Sequence, residues 1–176
     1  MPSVTEREAR CRVFTFKEGL LSAVAHDLEI DVTRLRIEWP DDRSTVRASF
    51  DARSLRVLHP MVNGRPAAHA VSDRDRRKIE ENIVDEVLHA ARHPEILVEG
   101  KLEWTEPDRR ARLEGTLTLT GRSRPLRLEV TRIDGEWRAE TTIHQPDFGI
   151  TPYTAMLGTL KIRPDVRIEV RIPSNG

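Results

Sequence analysis

Residues 165–172, DVRIEVRI, alternate without a break: Val166, Ile168, Val170 and Ile172 on one parity, Arg167, Glu169 and Arg171 on the other. A period of two gives an extended chain one apolar face and one wet face. The same pattern recurs in GTLTLTGRSRPLRLEV, residues 115–130, where Leu117 and Leu119 precede a break at Gly121–Arg124 and Leu126, Leu128 and Val130 follow it. Strands with one wet face that lie close in sequence fold as antiparallel sheet, and a sheet of this many strands closes on itself.

Further strand signals run along the chain. RVFTF (12–16) sets Phe14 and Phe16 on one parity, and LEIDV (28–32) sets Leu28, Ile30 and Val32 against Glu29 and Asp31. In TRLRIEW (33–39) the apolar parity slips by one residue, to Leu35, Ile37 and Trp39. Such a slip predicts a bulge or a sharp bend near Thr33. TVRASF (45–50), SLRVL (54–58), EILVEGKLEW (95–104) and EWRAETTIH (136–144) complete a set of about eight strands. One stretch has helical spacing instead: Ile79, Ile83, Val87 and Ala90 or Ala91 form a single stripe, capped by Ser72 or Asp73 and ended by Pro94. The expected fold is therefore mainly β, an antiparallel lipocalin-like barrel of about eight strands with one helix over about residues 73–91. A chain of 176 residues fits a single domain, 1–176, with residues 1–9 as a flexible tail.

Charge and cysteine content exclude several roles. Lysines and arginines number 29 and acidic residues 29, so there is no general electrostatic reason to bind nucleic acid. Cys11 is the single cysteine, which rules out an intrachain disulfide and a cysteine metal cluster. MPSVTEREARCRVF is charged within its first ten residues and lacks an apolar h-region, and no apolar run is long enough to span a bilayer. The expected compartment is the cytoplasm.

No catalytic constellation can be assembled. His26 and Asp27 are adjacent on an extended segment and so point to opposite faces. His89 and His93 have metal-ligand spacing on a helix, but Pro94 displaces His93 and no carboxylate or thiolate completes a set. We expect neither an enzyme nor a resident metal or cofactor. Two loops are long: 59–75, and the apolar stretch 145–165 with Phe148, Ile150, Tyr153, Met156, Leu157 and Leu160. These apolar residues must cover a barrel mouth, a partner or a ligand.

The order of elements is a Phe-rich first strand, a His-containing second segment, a helix ending in His-Pro, then GTLTLTGRSRPLRLEV, QPDFGI and a terminal alternating strand. This resembles the YceI-like family of lipocalin-like barrels that bind polyisoprenoid lipids. LTLTGRSRPLRLEV is similar to the family's LTLxGxTKPVxLxV, QPDFGI to its xRxDFGI turn, and HPEILVEG stands where the family has YPxIxF. The resemblance covers about residues 10–172 and implies an elongated cavity for an isoprenoid chain or isoprenoid quinone, bound without catalysis.

Parity and resemblance together put Phe14, Phe16, Leu28, Leu117, Leu119, Leu126, Leu128, Ile168 and Val170 on the inward face. Phe148 and Tyr153 are candidates for the mouth, and His26 for a polar contact. Arg74, Arg76 and Arg77 crowd the helix start. A solvated turn paired with Asp73, Asp75, Glu80 and Glu81 accounts for them, and a phosphate headgroup site joined by Arg65 is the functional alternative. Periodicity alone leaves open whether the barrel is hollow or filled by its own side chains. In the filled case the alternative function is an interaction or stress-response module that dimerises through 145–165. An enzyme acting on a lipid-like substrate is the third class.

Overall fold

The computed structural model describes residues 1–18, 27–63, 65–67, 71–155, 158 and 160–174. In chain order the strands are β1 (Ser3–Thr5), β2 (Arg10–Thr15), β3 (Asp27–Val32), β4 (Leu35–Glu38), β5 (Thr45–Asp51), β6 (Leu55–Val62) and β7 (Arg65–Pro66). Helix α1 (Asp73–Asn82) follows. Then come β8 (Glu95–Glu106), β9 (Arg110–Leu119), β10 (Arg122–Ile133), β11 (Glu136–His144), β12 (Thr154–Ala155), β13 (Leu160–Lys161) and β14 (Asp165–Pro173). All pairings are antiparallel, in the order β1-β4-β5-β8-β9-β10-β11-β14-β2-β3-β6-β7, with β12–β13 a separate small hairpin.

The strand count exceeds eight for a simple reason. β3 and β4 are one strand bent at Thr33–Arg34, and β5 and β6 are one strand bent at Ala52–Ser54. The two bends are stitched together: Thr33 N donates to Ser54 O and Asp51 N to Arg34 O, each at 3.0 Å. β2 pairs with the first half of one bent strand and β8 with the first half of the other, so the sheet closes into a barrel through the corner. The corner falls where the apolar parity slips at Thr33, and Val32, Leu35 and Ile37 are all buried. A second irregularity, a register shift at Glu29/Ile30, lies opposite Val57–His59.

Several local expectations are corrected. Residues 1–9 are not a free tail, because β1 pairs with β4 and Ala9 is buried. The segment 59–75 is shorter as a loop than expected, since β6 continues to Val62 and pairs with β7. The β9–β10 break is a two-residue turn at Thr120–Gly121, with φ of +50° and +73°, the conformation whose twist matches a hairpin. Gly121 is required there, and a side chain would strike the His93 ring at 2.8 Å.

The helix stops early. Ser72 caps α1, its Oγ accepting from Asp75 N at 3.1 Å. After Asn82 the chain loosens into a π-helical turn over Ile83–Val87, closed by Leu88 N donating to Ile83 O at 2.9 Å. His89 then adopts φ +47°, and its carbonyl accepts from Arg92 N and His93 N. Pro94 thus acts on a chain that has already turned.

Outside the barrel, Arg12 on β2 stands between Glu29 and Asp31 on β3 and pairs with both. Its side chain is only 18% exposed, so these pairs are better shielded than ordinary surface ion pairs.

Candidate functional site: a hollow barrel

The inward parity of every long strand faces one cavity of about 1040 Å³. This is as large as the largest ordinary small-molecule pockets, which reach about 1,000 Å³. Ile168 and Val170 on β14 and Leu126 and Leu128 on β10 line it and are only half-buried, although they point inward. In a filled barrel such residues would be close-packed. Their exposure is to the cavity itself, so the hollow alternative is the one realised. Across the barrel, Ile30, Val32 and Ile37 complete an aliphatic wall.

Of the residues singled out from the sequence, Leu28, Leu117, Leu119, Leu126, Leu128, Tyr153, Ile168 and Val170 line this cavity. His26 lies outside the described residues. Phe14 and Phe16 have the wrong parity: Cys11, Val13 and Thr15 are the β2 residues that face in. Phe14 instead lies on the outer surface beneath the Arg167 guanidinium, 4.2 Å from the ring centroid. Phe16 borders a small outer depression with Pro164 and Arg167. The Phe14 ring is covered by the Arg167 guanidinium, which is how a large apolar group comes to sit on the wet face.

Phe148 is buried but does not line the cavity. It belongs to a 3-10 turn, Gln145–Phe148, whose end is fixed by Gly149 at φ +70°. Thr120 Oγ1 donates to Phe148 O at 2.6 Å, locking this turn to the β9–β10 hairpin. Phe148 and Ile150 are 6% and 5% exposed, so they pack on the chain's own barrel rather than on a partner. Met156 and Leu157 lie outside the described residues.

Helix α1 and the π-helical turn bring Ile79, Ile83 and Val87 to one end of the cavity. Asn82 Nδ2 donates to Tyr153 Oη at 2.9 Å, tying the helix to the 145–165 segment. Asp75 is the charged helix residue on the cavity side, whereas Arg74, Arg76 and Arg77 do not line it. On the helical wheel Arg74 and Arg77 fall away from the stripe that Asp75, Ile79 and Ile83 share and are exposed, whereas Arg76 falls beside Ile83 and is half-buried at the edge of that stripe. The arginine turn therefore does not border the cavity as the headgroup alternative requires.

Sequence reading missed the other end. Trp39, Trp104 and Trp137 line it together with Arg43, Asp108 and Arg132. The Trp104 and Trp137 rings meet edge-on, centroids 5.5 Å apart at 75°. Trp104 Nε1 donates to Arg43 O at 3.1 Å, and Arg43 pairs with Asp108 at 2.7 Å. The signal lay in parity, since Trp39 continues Leu35–Ile37 and Trp104 continues Val98–Leu102.

Cys11 faces the cavity and is buried; desolvation, followed by the nearby Asp31 charge, pushes its thiol up to about 12. Such a thiol is a small apolar wall residue at neutral pH. No cluster with metal-binding composition occurs among the described residues. No helix among them is long and apolar enough to cross a membrane.

A family model, the YceI-like domain, matches residues 9–173. Among solved structures, Burkholderia cenocepacia BcnA superposes with a TM-score of 0.62 at 10% identity, covering 93% of this chain and 94% of that one. A polyisoprenoid-binding domain from Saccharophagus degradans, implicated in plant cell wall breakdown, gives 0.61 at 12% identity, with 94% of each chain covered. These likenesses are of fold. No curated protein matches the sequence.

Proposed function

The chain belongs to the YceI-like family, and on that premise we propose that it binds one long apolar molecule, an isoprenoid chain, inside the barrel without transforming it. The observation that carries this is the continuous cavity of about 1040 Å³, walled by aliphatic side chains from every long strand. Each methylene-sized group of a tail moved from water into such a wall contributes about 0.8 kcal/mol. Affinity then grows with tail length and needs no polar partner along the shaft. The Saccharophagus degradans domain of similar fold is a polyisoprenoid-binding domain, which supports the same ligand class. Carriage or storage of the molecule is the role that suits a site of this kind, whose described lining residues include no nucleophile–base pair.

The test is a titration of the purified protein with prenols of increasing length, followed by tryptophan fluorescence. All three tryptophans line one end of the cavity, so occupancy will perturb them. Saturable one-to-one binding that tightens with each added isoprene unit is expected. Absence of saturable binding at any length would refute the proposal.

A further inference from the structure

The two ends of the cavity differ in charge. At the helix end its polar lining residues include Asp75, Asn82 and Tyr153, which are acidic or neutral. The opposite end is where β10 finishes and β11 begins; there Arg132 pairs in register with Trp137, and Trp137 with Ile172. Arg132 lines the cavity mouth with its guanidinium over the Trp137 ring, 5.9 Å from the centroid. Its Nε donates to Ser174 Oγ at 3.0 Å. Arg43, across the mouth, is neutralised by Asp108, but no carboxylate among the described residues lies within ion-pair distance of Arg132.

We infer that the tryptophan-lined mouth is a headgroup subsite for an anionic amphiphile, with Arg132 as the counter-charge and the tail pointing toward helix α1. This rests on the proposed apolar-ligand function and adds an orientation and a headgroup class, a phosphate ester. The physical grounds are three. The Nε–Ser174 bond holds the guanidinium in place while its terminal nitrogens remain for a bidentate acceptor. Indole rings have an apolar body suited to the first carbons of a tail and edges that tolerate a polar neighbour. At the helix end, the Asp75 carboxylate would repel an anion drawn inside.

The experiment compares geranylgeranyl phosphate with geranylgeraniol, which share one tail, by tryptophan fluorescence at low salt. The unmodified protein should favour the phosphate by about tenfold, the size of one charge-assisted contact. Arg132→Gln should bring that ratio close to one. Arg127→Gln, on the outer face of the same strand where Arg127 pairs with Glu114, should keep it, and so should Arg74→Gln/Arg77→Gln at the helix start. A ratio that survives Arg132→Gln, or one that collapses in the helix-start variant, would overturn the orientation while leaving the cavity proposal intact. Inorganic phosphate saturating the mouth by itself, with the same Arg132 dependence, would assign a free-anion site and overturn the headgroup. Failure of both lipids to bind the unmodified protein would sink the cavity proposal and this one with it.

Discussion

Gly100 on β8 and Gly115 on β9 stand opposite each other in register, and the wall there is so tight that a Cβ on Gly115 would lie 2.5 Å from the Gly100 Cα. It would also lie 2.0 Å from the Glu99 carbonyl oxygen. Both positions have the inward parity, between Val98 and Leu102 and between Leu113 and Leu117. Two strands thus approach without side chains at this point of the barrel wall.

Alanine at Gly115 must move backbone, because the obstructing atoms are main-chain. We expect Gly115→Ala to destabilise by about 1–3 kcal/mol, the usual range for overpacking. Gly100→Ala, whose added Cβ would meet Glu114 O at 2.8 Å, should cost less. Urea denaturation of both variants checks the order, and equal or reversed losses would mean that the pair is not a tight approach.

The hollow interior makes an enlarged wall residue tolerable. Val170→Phe should change stability by less than about 1.5 kcal/mol, while weakening prenol uptake at least severalfold. In a filled barrel the same change would instead cost stability. Leu119→Asp, at a buried wall position, should unfold the protein, since it places a carboxylate among apolar groups without a partner. Thermal melts beside ligand titration separate the two effects.

Parity on β2 can be tested by paired substitutions. Val13→Ser alters the cavity wall and should weaken ligand uptake. Phe14→Ser removes only the ring beneath Arg167 and should leave uptake unchanged, with a stability cost of about 1 kcal/mol or less. Loss of uptake in the Phe14 variant alone would reverse the assigned faces.

The hydrogen bond from Asn82 to Tyr153 joins the helix to the opposite segment across one end of the cavity. Tyr153→Phe removes about 0.5–1.5 kcal/mol of net stabilisation. Stopped-flow release of a bound prenol should accelerate by up to about tenfold if this bond holds the end closed. An unchanged release rate would show that the ligand leaves by another route.

Cys11 gives a pH prediction with a definite sign. Its thiol ionises near 9.0 when unfolded and near 12 in the fold, so between those values the unfolded chain has lost a proton that the native chain keeps. The Cys11 contribution is therefore fully present below pH 9 and is lost as pH rises toward 12, by about 1.4 kcal/mol per pH unit. Other groups also titrate there, so the quantity to measure is the difference between the unmodified protein and Cys11→Ala. A difference that stays flat from pH 8.5 to 10.5 would contradict the burial of this thiol.

Much of the barrel was legible because alternation survives wherever one face is wet and the other is not. β14 shows this in Val166–Ile172, and the corner was visible as a one-residue slip at Thr33. The outward placement of Phe14 was not legible. RVFTF carries apolar residues on both parities, and only the register with β14 brings Arg167 over the Phe14 ring. The helix ended early for a comparable reason: the stripe Ile79–Ile83–Val87 survives a π-helical turn, so spacing alone does not mark where α-helix stops. The tryptophan mouth draws on residues 39, 104 and 137, which only strand pairing unites. Arg74, Arg76 and Arg77 formed the most conspicuous charge cluster in the sequence, yet none of them lines the cavity.

The most direct measurement is organic extraction of the purified protein followed by mass spectrometry, beside an unrelated protein from the same host. A long-chain isoprenoid present at near one molecule per chain, and absent from the control, is the expected result. An extract that matches the control, from protein that also fails to take up added prenols, would contradict the proposal that the cavity is a lipid site.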